Sequence, residues 1–289
     1  MMTKIENKRP SPIAGQWYPG NVKQLADEVD NYMDSAKLPE IKGEVVAVMA
    51  PHAGYLYSGS VAGYAFATLR GLSPDIVFVL SPMHYPYYEK LMTTSHDAYT
   101  TPLGDIPVDH KIIQELNGYL KEEIGITLKE ISEDEEHSLE IELPFLQRAL
   151  KKPFSLIPIM LRDQSEHTSY GLAHSILKTI KESNLIVDKS ILLVASTDLS
   201  HFFPHKTAIK LDSELLQRVE RFDPVGVIRI EDEGKGYACG RGALAAVMWI
   251  AKDLGADKAT VLKHATSGDT SGEYERVVGY GAAVITRSN

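Results

Sequence analysis

Val45-Val46-Ala47-Val48-Met49-Ala50-Pro51-His52-Ala53-Gly54-Tyr55 is an apolar, β-branched run that stops at a proline, a histidine and a glycine. A run of this length bounded by Pro and Gly predicts a strand buried on both faces. In an open α/β sheet, ligands sit just beyond the carboxyl ends of such strands. The pattern recurs twice. Ile76-Val77-Phe78-Val79-Leu80 leads to Ser81-Pro82-Met83-His84, and Ile191-Leu192-Leu193-Val194-Ala195 leads to Ser196-Thr197-Asp198-Leu199-Ser200-His201. Three buried strands therefore each deliver a histidine past their C-terminal ends. Side by side in one sheet, they make a convergent histidine site for a metal or for acid–base work.

Working outward, residues 9–20 hold three prolines and two glycines, which predicts an irregular arm pinned by Trp17-Tyr18, with packing favoured over a pocket wall. A helix over about 21–36 starts at an Asn cap. The small-residue segment Val61–Leu69 joins the first two histidine strands as a βαβ unit, which predicts that these strands are parallel neighbours. Residues 85–109 read as loop, with Tyr85, Tyr87 and Tyr88 packed at its base. His96 and His110 read as solvated.

A helix over 109–126 is followed by the acidic run 133–136, which suits the N-terminus of a helix carrying His137. His137 and Glu140 share one face of it, and Pro144 kinks or divides it. His137 reads equally as a ligand, a base or a helix-start residue bonded to its own turn. Phe154–Leu161 reads as a strand, with Pro158 hinting at an edge or bulge. The helix over 165–183 places His167 and His174 at the surface.

The third histidine strand ends in the densest chemistry, where a carboxylate–imidazole pair of Asp198 and His201, three apart on a turn, is favoured over an Asp that only caps the following helix. Gly234–Gly242 is a glycine-dense loop opening a helix over 243–254. Cys239 sits there near the helix N-terminus and Arg241, which favours a thiolate that binds metal or acts as nucleophile. The loop lacks the spacing of a phosphate-binding motif. The two closing stretches, 259–269 and 277–285, read as strands, with a polar Thr/Ser/Gly/Asp loop between them able to line the same cleft. The position of His264 relative to its strand is left open.

The bulk numbers narrow the function classes. The 289 residues are 44% hydrophobic, enough for one large core. No window is apolar for the length of a membrane span, and the polar N-terminus has no signal-peptide core. One cysteine excludes an internal disulfide and fits a reducing cytoplasm. A net charge of −9 argues against nucleic acid.

The fragments Pro51-His52-Ala53-Gly54-Tyr55, Ser81-Pro82-Met83-His84, Glu136-His137-Ser138-Leu139-Glu140, Leu143-Pro144-Phe145, Ser196–His201 and Cys239-Gly240-Arg241 stand in the order seen in the Memo (mediator of cell motility) family. Pro12–Pro19 is similar to that family's N-terminus, so the resemblance spans nearly the whole chain, 1–289, as one domain with an arm over 1–20. It implies a single α/β domain with a mixed, largely parallel sheet flanked by helices, related in fold to class III non-haem iron extradiol dioxygenases. It also implies a metal site at His52, His84 and Cys239, with Asp198 and His201 beside it and His137 in the same cleft. Animal members are associated with phosphotyrosine-containing receptor tails, motility and copper or iron handling. Prokaryotic members are grouped with radical-SAM and AMMECR-type proteins. One departure is plain: the family's paired His-His is His84-Tyr85 here.

Three functions follow as expectations. The first is a metal-dependent oxidoreductase using iron(II) or copper, with zinc as a third candidate, in which His201 oriented by Asp198 is the acid–base residue and His137 assists. A thiolate ligand in place of a carboxylate shifts the preference toward copper(I) or zinc. The second is a non-catalytic module that handles metal, or binds a small molecule or peptide, in the same cleft. The third, the least favoured, is a plain α/β domain whose histidines only cap strands.

Overall fold

The structure is a computed structural model that describes residues 5–184 and 186–288; residues 1–4 of the arm, residue 185 and residue 289 lie outside the described residues. In chain order the elements begin with β1 (Lys8–Arg9), α1 (Val22–Asp34), β2 (Glu44–Ala50), α2 (Tyr55–Ala67) and β3 (Ile76–Pro82). Then come β4 (Leu91–Thr94), β5 (Ala98–Thr101), β6 (Gly104–Pro107), α3 (His110–Ile124), β7 (Lys129–Ile131), α4 (His137–Glu140) and α5 (Leu143–Ala149). They continue with β8 (Ser155–Leu161), α6 (Glu166–Glu182), β9 (Ile191–Ser196), β10 (His201–Phe203), α7 (His205–Glu220) and α8 (Pro224–Arg229). The last are α9 (Arg241–Asp253), β11 (Lys258–Thr266), α10 (Gly268–Ser271) and β12 (Val277–Arg287).

The apolar runs form the centre because both their faces are covered. Alternate residues of β2 divide between two layers, as a strand's period of two requires. Ala47 and Met49, with Phe78 and Leu80, pack on α3, α6, α7, α8 and α9. Val48 and Ala50, with Val77 and Val79, pack on α1, α2 and α5. The small residues of α2 serve this packing: a Cβ on Gly63 would run into the backbone of Tyr32 on α1.

The main sheet runs β10-β12-β2-β9-β3-β8-β4-β7, with β11 paired to β12. Its middle, β2-β9-β3-β8, is parallel. It turns antiparallel at β4 on one side and at β12 on the other, so the sheet is mixed. A second sheet, β1-β5-β6, carries the arm.

The expected neighbours β2 and β3 are parallel but not adjacent, because β9 lies between them. This insertion sets the three histidine-bearing ends in one row, β2-β9-β3. Residues 85–109, expected as loop, contain β4, β5 and β6, each only four residues long. Pro158 is tolerated inside the sheet rather than at an edge, since the β4 ladder reaches only Met160 and Leu161. Pro144 divides its helix into α4 and α5, and Asn21 caps α1 through Lys23 N and Gln24 N. Within the arm, Lys8–Arg9 forms a short strand against β5 despite the surrounding prolines.

Candidate metal centre

His52 and His84 follow the ends of β2 and β3, and His137 opens α4. The result is that one ring nitrogen from each of His52, His84 and His137 lies within 4.8 Å of the others. His84 and His137 stack with centroids 4.8 Å apart, while His52 meets both edge-on. His52 is buried, His137 is half-buried and His84 opens to solvent.

Glu136 organises two of the three rings. It is the N-cap of α4, with Oε1 accepting from His137 N and Ser138 N, both at 2.9 Å. The same oxygen lies 3.0 Å from His84 Nδ1 and 3.2 Å from His137 Nδ1, and Oε2 accepts from His84 N. A carboxylate behind a ligating imidazole fixes its tautomer and raises its basicity. Burial opposes ionisation here, yet the bond from His84 and the two imidazoles hold the Glu136 carboxyl at about 2. Burial lowers His137 to about 4, against the pull of Glu136 and with added repulsion from His84. Burial likewise pushes His52 well below its ordinary value. Both rings are therefore held neutral, the form that binds metal.

Behind Glu136 stands Arg9, which is buried. Its Nε donates to Asp134 at 2.6 Å, its Nη2 to the Glu136 carbonyl at 2.7 Å, and its Nη1 to Glu140. Glu140, expected on the face of His137, is instead the partner of Arg9, Ser11 and Tyr18. Neither Glu136 nor Arg9 was singled out from the sequence. The legible signal for Glu136 was an acidic residue directly preceding a helical histidine.

Around His52, the backbone N–H donates to Asp198 Oδ1 at 2.8 Å, and ring Nδ1 lies 2.9 Å from Ser196 Oγ. Cys239 Sγ is 3.2 Å from His52 Nε2, adjacent to the trio. The glycine loop reaches this position because residue 240 has no side chain: a Cβ on Gly240 would collide with the Ser196 carbonyl. The thiolate expected of Cys239 is not favoured in the metal-free site. Burial and the nearby Asp198 push the thiol up, and Arg241 turns away to pair with Glu231.

Asp198 and His201 are both at the site but do not bond to each other. Burial raises Asp198 to about 7 although the N–H groups of His52 and Ala53 donate to it. His201 Nδ1 lies 2.7 Å from the Leu199 carbonyl. A carbonyl only accepts, so Nδ1 carries the proton and Nε2 keeps a lone pair. The next residue, Phe202, has φ +63°, a left-handed conformation rare for an aromatic residue, at an irregularity in the β10–β12 pairing.

Beside the trio lies a cleft of about 590 Å³ with Trp17, Leu56, Tyr57, Val278 and Tyr280 in its walls. The aromatic pair of the arm divides its work. Tyr18 is buried packing, whereas Trp17 lines this cleft. The polar loop between β11 and β12 contributes Ser267 and Ser271 to the same cleft.

His167 is exposed and His174, paired with Glu123, is partly so, as expected. His96, expected to be solvated, is 9% exposed with Nδ1 on Thr94 Oγ1. His110, partly exposed, bonds the His96 carbonyl. His264 lies within β11 and bonds the buried Asp212. Tyr85 and Tyr87 line a separate chamber of about 440 Å³ against Glu136, and Tyr88 is wholly exposed.

A mixed α/β sheet whose parallel strand ends carry His52 and His84, joined by His137 from α4, defines a class of candidate metal-binding proteins. Comparison with known proteins gives the family: the model for Memo-like proteins matches residues 9–284, and the chain belongs to the Memo family. It is 32% identical to a MEMO1 family protein of Methanosarcina mazei, covering 97% of this chain and 100% of that one. A MEMO1 family protein of Nitrosopumilus maritimus is also 32% identical, over 95% and 98% of the two chains. One from Saccharolobus solfataricus is 33% identical, over 96% and 98%. No helix among the described residues is long and apolar enough to cross a membrane.

Proposed function

We propose that the chain binds a transition-metal ion through His52, His84 and His137, with Cys239 as a further ligand, and works as a metal-dependent oxidoreductase using iron(II) or copper. The observation that carries this reading is the set of three imidazole nitrogens within 4.8 Å of one another. The donor set fits the group, because imidazole suits iron, copper and zinc and two of the rings are held neutral by burial. A bound ion would polarise an oxygen ligand or exchange an electron.

The chain's own residues supply the rest. Trp17, Tyr57 and Tyr280 receive a small molecule or a peptide side chain in the cleft. His201 Nε2 takes a proton, its ring fixed by Leu199. Asp198, at about 7, gives or takes one at neutral pH. A second reading, metal handling without turnover, is supported by the Cys239 sulfur 3.2 Å from His52 Nε2. A soft donor at that point favours copper(I) or zinc over an oxygenase iron.

The test is elemental analysis of anaerobically purified protein, wild type beside His52→Ala, His84→Ala and His137→Ala, followed by oxygen uptake on a panel of phenolic substrates. The expected result is one ion per chain in the wild type and loss in each variant. A wild type that stays metal-free after reconstitution with iron, copper and zinc overturns the proposal. Full metallation with no uptake overturns the oxidoreductase and leaves metal handling.

A further inference from the structure

The Ser196 hydroxyl, fully buried at the end of β9, touches three polar atoms. They are the Ser138 carbonyl at 2.6 Å, Glu142 Oε1 at 2.7 Å and His52 Nδ1 at 2.9 Å. A hydroxyl has one proton and two lone pairs. The Ser138 carbonyl can only accept, and two oxygens at 2.6 Å attract only with a proton between them, so the serine proton points there. The other two partners must then donate into the serine lone pairs. His52 carries its proton on Nδ1, and Glu142 carries one on Oε1.

A second, independent observation agrees. Glu142 is 0% exposed, and its Oε2 has no hydrogen-bond partner among the described residues. The carbonyl oxygen of a neutral acid survives there at far less cost than half of a carboxylate charge. Burial, followed by the nearby Asp198, pushes the carboxyl well above its ordinary value against the bond to Ser196. The buried Tyr55 phenol also faces it.

We propose that Glu142 is a buried carboxylic acid, neutral at physiological pH, that acts through Ser196 as a positioning residue and holds His52 as its Nδ1–H tautomer, with the Nε2 lone pair directed to the metal site. The metal role of this relay rests on the reading given above; the tautomer does not. Glu142 touches neither substrate nor metal. Its effect reaches the site through the two hydrogen bonds of one hydroxyl.

The experiment is a competition titration with zinc ion on the full chain, comparing wild type, Glu142→Gln, Glu142→Leu and Ser196→Ala. Glutamine is neutral and has both an N–H donor and a carbonyl, so it reproduces the protonated acid. The expected result is binding within about threefold of wild type for Glu142→Gln and losses of about 10–100-fold for Glu142→Leu and Ser196→Ala. A Glu142→Gln variant that falls as far as Glu142→Leu overturns the proposal, because the charge would then be what matters. Three variants that all bind like wild type overturn it too. Nitrogen-15 spectra of the imidazoles in metal-free wild type need no variant to fold: His52 protonated on Nδ1 supports the relay, and protonation on Nε2 sinks it. A wild type that binds no zinc yet shows the Nδ1–H form supports the relay and removes the metal reading instead.

Discussion

Trp17 lies against His137, their ring centroids 4.2 Å apart and tilted by 43°. The contact joins the N-terminal arm to the histidine trio and gives the site a built-in optical reporter. The other tryptophan, Trp249, sits on α9 against Tyr170, in the opposite layer. Copper(II) bound at the trio quenches a nearby indole and leaves a distant one alone. Titration with copper(II) is therefore expected to quench wild type and Trp249→Phe, whereas Trp17→Phe loses most of the response. Equal quenching in both variants would place the ion elsewhere.

Glu136 holds His84 and His137 through one carboxylate oxygen while capping α4. Replacing it with glutamine keeps the size and an acceptor for the cap but removes the charge behind the two rings. Glu136→Gln is expected to weaken zinc binding about 10–100-fold. A control is His174→Gln, which breaks a surface pair with Glu123 far from the trio. It is expected to leave affinity unchanged and to move stability by no more than about 0.5 kcal/mol. Chelator competition on both variants decides the point.

The three strand ends were legible because apolar β-branched runs ending in Pro-His, Pro-Met-His and Ser-Thr-Asp leave little choice of structure. Their order was not. Placing β9 between β2 and β3 is a long-range choice that no local spacing encodes. The four-residue strands β4, β5 and β6 fall below the length at which alternation can be read. Spacing of three residues pointed to Glu140 as the partner of His137. The helix begins at His137, however, so its cap Glu136 takes the rings and Glu140 turns to Arg9. The same spacing paired Asp198 with His201. The chain instead bends so that Asp198 accepts from His52 N, while His201 settles on Leu199. Resemblance named His137 in the cleft, and the geometry brought it into the trio.

The neutral imidazoles couple the stability of the metal-free protein to pH in the mildly acid range. His137 has a folded value of about 4 against an ordinary 6.5. Below pH 6.5 the unfolded chain takes up a proton at His137 that the folded chain refuses, so the contribution of this imidazole to stability falls as pH drops from 6.5 toward 4. His52, also lowered by burial, adds to the same slope. The low value of Glu136 adds its own loss only below about 4.5, as that carboxyl begins to protonate in the unfolded chain. The raised carboxyls of Asp198 and Glu142 hold protons in the folded chain over the same range and act in the opposite direction, so the His137 share is read from the difference between variants. In urea unfolding of metal-free protein at several pH values, His137→Gln is expected to differ from wild type in slope by about one proton between pH 6.5 and 4. An unchanged slope would mean that His137 is charged in the folded state.

Arg9 ties the arm to the ground beneath the histidine trio. Its guanidinium meets Asp134, Glu140 and the Glu136 carbonyl with the side chain 1% exposed, and lies 4.7 Å from the Tyr99 ring centre. Burying such a group is not in itself stabilising, because desolvation offsets the attraction. Removing one partner is another matter, since it strands the opposite charges. Arg9→Ala leaves two buried carboxylates without a cation and is expected to cost about 3–5 kcal/mol. Arg9→Lys should recover only part of this, since an ammonium cannot make the planar fork that reaches three acceptors at once. Thermal unfolding of both variants measures the stability. Because the third acceptor is the backbone of Glu136, both should also lose zinc affinity in the order wild type, Arg9→Lys, Arg9→Ala. A stable Arg9→Ala protein with wild-type affinity would show that the arm merely rests on the domain.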